Sequence, residues 1–171
     1  MKKLKNIDYE VISELMKNAN ISDRELAKKL GFSQPTISRR RARLVADGLI
    51  AYDVTPNFEK FGYDLLAFTF FHFDFSFSSG VFGDEAAELM SKAIQKHPNV
   101  IFGSSGRGLG YEAILLSIHK DFGDYMKFKD SLRTDLAKYA LEIRSFAISM
   151  KGDNTFRPLS FAYLRDHLKS E

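Results

Sequence analysis

The sequence predicts an α+β chain of two domains, a three-helix front and a rear of four strands and two helices. Three observations predict it. Helix start and stop signals recur through the first fifty residues, with apolar residues at helical spacing. From Leu65 to Met150, strand-like and amphipathic runs follow one another in the order β-α-β-β-α-β. Charge divides at the same place: of 25 Lys+Arg and 22 Asp+Glu, residues 1–50 hold 11 and 6. The front is basic and the remainder close to neutral, as expected of a nucleic-acid module joined to something else.

The totals exclude several classes. At 171 residues and 44% hydrophobic content the chain has material for packed cores and is too apolar for disorder. It has no cysteine, so neither a disulfide framework nor a thiolate metal site is available. The lysines of the first residues are followed by no apolar signal core. The most apolar run, Leu65 to Phe77, is interrupted by His72, Asp74 and Ser76 and cannot span a bilayer as a helix. A cytoplasmic protein is expected.

In the front domain, residues 1–54, Asp8 is expected to cap a first helix with Val11, Ile12, Leu15 and Met16 inward. Ser22 opens a second helix, and Glu25 three residues on completes a capping box. Leu26, Ala27 and Leu30 face inward, Gly31 makes the turn, and Phe32 is expected at the elbow of the core. Ser33 caps the third helix, with Pro35 in its first turn. Three helices with a glycine turn between the last two form a helix-turn-helix unit. Leu49 to Val54 alternates like a short strand, which gives the unit a wing.

The third helix carries Arg39, Arg40, Arg41 and Arg43 within five positions. At about 100° per residue, with Ile37 and Leu44 inward, Arg39, Ala42 and Arg43 take the opposite face beside Thr36 and Ser38. Arg40 falls at the edge of the apolar stripe and Arg41 nearly on it, its stem packed and its head towards water. Short polar residues and arginines on the exposed side of such a helix read base edges and clamp phosphates in the major groove of double-stranded DNA. The DNA-contacting candidates are Ser33, Gln34, Thr36, Ser38, Arg39, Arg40 and Arg43.

Residues 55–63 read as a linker. The rear domain, residues 64–150, begins with a strand from Leu65 to Phe77. Phe71, Phe73, Phe75 and Phe77 take one face and Leu66, Phe68 and Phe70 the other. After the turn Ser78–Gly80, a helix from about Asp84 turns Ala86, Leu89, Met90, Ala93 and Ile94 to one side and ends at His97-Pro98. A strand from Asn99 to Ser104, a loop from Ser105 to Gly110 and a strand from Tyr111 to His119 follow. A second helix starts near Asp121, with Tyr125, Phe128, Leu132, Leu136 and Tyr139 inward, and a strand closes the domain from about Leu141 to Met150. This is the ferredoxin-like order. Two helices cover one face of a four-stranded sheet, so the other apolar face calls for a second copy of the chain, and a homodimer is expected. Residues 151–171 form an extension with a short helix after Pro158, built on Phe161, Leu164 and Leu168 and available for further assembly.

Gly103 to Gly110 is rich in glycine, but it leads into a strand and lacks a Gly-Lys-Ser/Thr ending, so it is not a phosphate loop. The four histidines stand at no metal-ligand spacing, and no nucleophile-histidine-acid set is suggested. No catalytic residue, metal or cofactor is expected.

These residues resemble the Lrp/AsnC family of archaeal and bacterial transcription regulators. The resemblance rests on Ile7-Asp8, Val11-Ile12 and Leu15; on Ile21-Ser22, Glu25-Leu26-Ala27 and Leu30 to Ser33; on Thr36 to Arg40, Leu44 and Gly48 to Ile50; and on the linker Asn57 to Tyr63. It implies a winged-type helix-turn-helix front that binds DNA and a rear that dimerises, builds tetramers or octamers, and often binds an amino acid. Arg41 and Val45 stand where family members tend to carry an aliphatic residue and a glutamate. The family's effector turn corresponds to Gly108–Glu112, one residue longer and with Glu112 for aspartate. The effector-binding candidates are Ser104, Arg107, Gly108, Tyr111 and Glu112. Siroheme decarboxylases look like the same family and give an alternative, against which the arginine-rich third helix and the scattered histidines speak. An architectural DNA-binding protein without an effector is another.

Overall fold

The computed structural model describes residues 4–73, 84–152, 156 and 160–167. It divides into two compact units, residues 1–55 with 157–171, and residues 56–156.

The first unit holds helices α1 (Asn6–Lys17), α2 (Asp23–Leu30) and α3 (Gln34–Ala46). Ser22 caps α2: its Oγ accepts the Glu25 N–H at 3.2 Å, and Glu25 accepts the Ser22 N–H at 3.1 Å. Gly31 ends α2 at φ 73°, a left-handed conformation that favours glycine. Val11, Leu15, Leu26, Ile37 and Leu44 close the core. Each is 6% exposed or less, so the helical spacing located the inward face of all three helices.

Four details differ from expectation. Asp8 does not precede α1; it is the helix's third residue, fully buried, and accepts the Lys5 N–H at 2.8 Å. Phe32 is 43% exposed, not core, because the glycine turn carries it past the helix packing. Leu49–Val54 forms no strand: Leu49 and Ile50 donate to the Leu44 carbonyl, and no other described strand in this unit offers an edge. The tail, expected as a separate extension available for assembly, joins this unit, where a 3-10 helix (Phe161–His167) lies against α1. Pro158 and Leu168 lie outside the described residues.

The second unit runs through a 3-10 turn (Glu59–Phe61), β1 (Leu65–Phe73), α4 (Asp84–Gln95), β2 (Val100–Gly108), β3 (Tyr111–His119), α5 (Phe122–Leu136) and β4 (Ala140–Ser149). The strand order is β2-β3-β1-β4, with every neighbouring pair antiparallel, which is the ferredoxin-like arrangement. The part of the first strand expected beyond Phe73, with Phe75 and Phe77, and the turn after it lie outside the described residues, as do the side chains of Ala86 and Leu89.

Alternation decides which side of the sheet is dry. Ala67, Phe71 and Phe73 of β1 and Ala113 and Leu115 of β3 meet Met90 and Ala93 of α4 and Tyr125, Phe128, Leu132 and Leu136 of α5. Tyr139, expected inward, lies beyond the end of α5 and packs half-buried on this core. The opposite face carries Leu66, Phe68, Phe70, Ile114 and Leu116, with Phe102 54% and Phe146 66% exposed. No helix of the described residues is long and apolar enough to cross a membrane.

Candidate nucleic-acid interface

The face of α3 is sorted by what its side chains touch. Asp8 of α1 receives Arg40 Nη1 on Oδ1 and Arg43 Nη2 on Oδ2, each at 2.8 Å. Burial pushes the Asp8 carboxyl up, but hydrogen bonds from Lys5, Arg40 and Arg43 outweigh it and hold its pKa below the usual carboxylate value. A doubly bridged, buried carboxylate fixes the azimuth of α3 against α1.

Arg41 is committed just as fully. Its Nη1 donates to the Ile21 carbonyl at 2.9 Å and to Asp23 at 3.0 Å, and its Nη2 to the Ala19 carbonyl at 2.9 Å. Its Nε donates to the Tyr52 hydroxyl at 2.6 Å, with the guanidinium carbon 5.3 Å from the tyrosine ring centre. The charge expected at an aliphatic position therefore joins α3 to the α1–α2 turn and to the segment after α3. Asp23 also accepts from Ser38 Oγ at 2.6 Å; that bond, more than Arg41, keeps the Asp23 pKa low.

The sequence-derived candidates separate accordingly. Gln34 and Arg39 are exposed, and neither has a side-chain partner among the described residues; Ala42 beside them is exposed too. Ser33 and Thr36 share a hydroxyl hydrogen bond at 2.8 Å at the start of the helix. Ser38 leans on α2. Arg43, expected on the outer face, reaches back to α1, as does Arg40, because a buried acceptor stands within reach of both. Helical projection places side chains by Cα angle and does not see where a long side chain bends. Asp8 and Asp23 were missed as supports of α3; a lone acid amid an apolar stripe was the available signal.

The effector candidates are not gathered in one place. The expected loop Ser105–Gly110 is mostly strand, and the hairpin turns at Leu109 and Gly110 alone, at φ 55° and 81°. Ser104 lies well down β2 opposite Ile114, its hydroxyl donating to the Ser105 carbonyl at 2.9 Å. Gly108 faces Tyr111 across the hairpin, and Arg107 is exposed. The Tyr111 hydroxyl donates to Glu142 at 3.0 Å, while buried Glu112 accepts the Phe73 N–H at 3.0 Å and stands 3.2 Å from His72 Nδ1. Among the described residues no group of three or more histidine or acid side chains is placed to hold a metal ion.

Residues 4–51 match the family model described as winged helix-turn-helix DNA-binding. The three helices of the front have the helix-turn-helix arrangement that this family model describes. A helix-turn-helix-type transcriptional regulator of Pyrococcus furiosus is 33% identical over 90 residues, which are 52% of this chain and 59% of that one. The leucine-responsive regulatory protein of Rhizobium meliloti is 38% identical over 63 residues, 36% of this chain and 40% of that protein. The chain spans about half the length of the curated relatives it matches. Among solved structures, the L-Met complex of a transcriptional regulator from Neisseria meningitidis matches with a TM-score of 0.79 at 18% identity, over 97% of this chain and 99% of that one. An AsnC family transcriptional regulator from Agrobacterium tumefaciens matches with 0.73 at 19% identity, over 94% and 99%. The chain thus has the fold of the Lrp/AsnC regulators and is related to them in sequence.

Proposed function

We propose that the protein is a sequence-specific DNA-binding transcription regulator of the Lrp/AsnC type. The observation that carries this reading is the division of labour on α3. Three arginines brace the helix, while Arg39, Gln34 and the Ser33–Thr36 pair remain on the outer side of a winged helix-turn-helix domain. Such a helix enters the major groove with its N-terminal half, where short polar side chains and one arginine meet base edges.

The working unit is a homodimer, closed by the apolar sheet face that α4 and α5 leave uncovered. Tetramers or octamers are built from that dimer. Two copies of α3 then read two half-sites, whose spacing is set by the dimer. The neighbour's complex with L-Met supports an amino acid or another small molecule as effector. Residues near the hairpin, Ser104, Arg107, Gly108, Tyr111 and Glu112, are proposed to face it once the dimer forms.

The test is fluorescence anisotropy on a binding site selected from random DNA. Replacing Arg39 by Ala should cost about 1–3 kcal/mol and relax preference at one base pair of each half-site. Equal affinity and equal preference in the variant would overturn the assignment of the groove-facing side.

A further inference from the structure

We propose that the second unit has a binding site for a small monocarboxylate bearing a hydrogen-bond donor, in the cavity at the junction of β3 and α5. It is an open cleft of about 360 Å³, at the lower end of the size range of small-molecule sites. Four parts of the chain meet there. Tyr63 closes the linker, His97 and Asn99 form the turn before β2, Lys120 follows β3, and Asp124 and Lys127 lie on the first turns of α5. Phe128 supplies the apolar wall.

The donors are largely unspent. Lys120 and Lys127 have no side-chain ion pair among the described residues, and the Tyr63 hydroxyl has no hydrogen bond there. His97 uses Nε2 on Ser131 Oγ at 3.3 Å, leaving Nδ1. Asp124 Oδ2 accepts the Lys120 N–H at 3.2 Å, so its Oδ1 remains as an acceptor. Behind the cavity, fully buried His119 is held by Ser117 at 2.8 Å and Asn99 at 3.3 Å, with Asp124 3.7 Å away.

Charge selects the ligand class. Two lysines against one carboxylate leave the lining one positive charge in excess, since burial keeps His97 and His119 towards their neutral forms. A monoanion balances that excess; a phosphate dianion would place a second negative charge beside Asp124. A carboxylate taken by the lysines and the Tyr63 hydroxyl leaves Asp124 Oδ1 for a hydroxyl or amino group on the same molecule.

This site is distinct from the effector candidates. Those are spread along β2 and the Tyr111 end of β3, none of them lining this cavity, which opens at the His119 end, about 27 Å along the strand from Tyr111 at ~3.4 Å per residue. A ligand here would also contact Tyr63, two residues before β1.

The experiment is a titration of the ¹⁵N-labelled full-length protein with L-lactate, acetate, inorganic phosphate and methylammonium, followed by amide shifts. L-Lactate should give saturable shifts at Tyr63, Asn99, Lys120 and Asp124 and leave Arg107–Glu112 unmoved. Lys120→Met and Lys127→Met should each weaken it by roughly tenfold or more, because each removes one charge-assisted bond. Both lysines are exposed, so the variants keep the fold, and their unperturbed core amides verify it. Asp124→Asn should bring lactate down to the affinity of acetate. No saturable shift with lactate, shifts confined to the hairpin, or unchanged affinity in both lysine variants would overturn the site. Tighter binding of phosphate or methylammonium would overturn the ligand class.

Discussion

Replacing Asp8 by Asn removes one charge and almost no volume, and it tests the central claim about α3. In the native unit the carboxylate is fully buried and receives three donors at 2.8 Å, from Lys5, Arg40 and Arg43. Asparagine keeps one acceptor oxygen, so at least one guanidinium loses its partner. The Nε atoms of Arg40 and Arg43 are already buried without a hydrogen bond, although Arg43 Nε stands 3.8 Å from the Asp47 carboxylate and can lean on it. Breaking a buried pair by removing one partner costs about 3–5 kcal/mol. The two arginine side chains retain 21% and 30% exposure, and solvent recovers part of that cost. The expected loss is therefore about 2–4 kcal/mol, read from urea unfolding followed by circular dichroism. DNA binding supplies the second readout. Freed guanidiniums become available to phosphates, and each phosphate contact steepens the plot of log affinity against log salt by about 0.9. Discrimination between a selected site and bulk DNA should fall as the slope rises. A loss below about 0.5 kcal/mol, in the range of an ordinary surface substitution, together with an unchanged salt slope, would refute the bracing role.

Four further outcomes follow from the same structure. Phe146→Glu places a charge on the uncovered sheet face, where the residue is 66% exposed in the single chain; if the proposed dimer closes there, sedimentation should show this variant monomeric and the parent dimeric, with the secondary structure kept. Gly103→Ala brings a Cβ to 2.8 Å from the Leu115 Cδ2 methyl and 3.1 Å from the Ile94 Cδ1 methyl, so the tips of these packed side chains must give. Overpacking of this kind costs about 1–3 kcal/mol in thermal unfolding. Tyr52→Phe removes the Arg41 Nε acceptor but leaves the ring contact and should cost about 1 kcal/mol. Burial, above all, holds His119 and His97 below the ordinary histidine value of 6.5. The unfolded chain then binds protons first, so this contribution is full above about pH 6.5 and is lost as pH falls through the window below it. A His97→Gln/His119→Gln variant should show a flatter stability profile between about pH 7 and pH 5 than the parent.

Periodicity carried the fold a long way, and it fell short where structure depends on a partner rather than on a repeat. Ile37 and Leu44 are both fully buried, and so are Val11 and Leu26, because a helix has only one way to present a stripe spaced by three and four. The β1 side chains alternate as read, with Phe71 and Phe73 inward and Leu66, Phe68 and Phe70 outward. The segment after α3 was misread because Leu49–Val54 alternates without a neighbouring strand, and alternation alone forms no ladder. The hairpin was misread in the opposite sense. Ser105 to Gly108 has loop composition, yet two left-handed residues at Leu109 and Gly110 suffice to reverse the chain, so the strand runs on to the turn.

The arginine run shows why a site is harder to read than a fold. A count of cations on a helix measures its charge, not the charge it offers to a ligand. Here Asp8 takes Arg40 and Arg43, and Asp23, two carbonyls and Tyr52 take Arg41. Those acceptors lie outside α3, at sequence separations of 11 to 35, where no helical wheel can place them. The result is physically sensible for a reading helix. Free arginines bind any phosphate and raise affinity for all DNA alike, whereas an arginine fixed to the scaffold lends rigidity to the one that remains outside. In the proposed reading, discrimination rests on Arg39 and the polar residues at the start of α3, and the Asp8 and Asp23 network holds that helix in place.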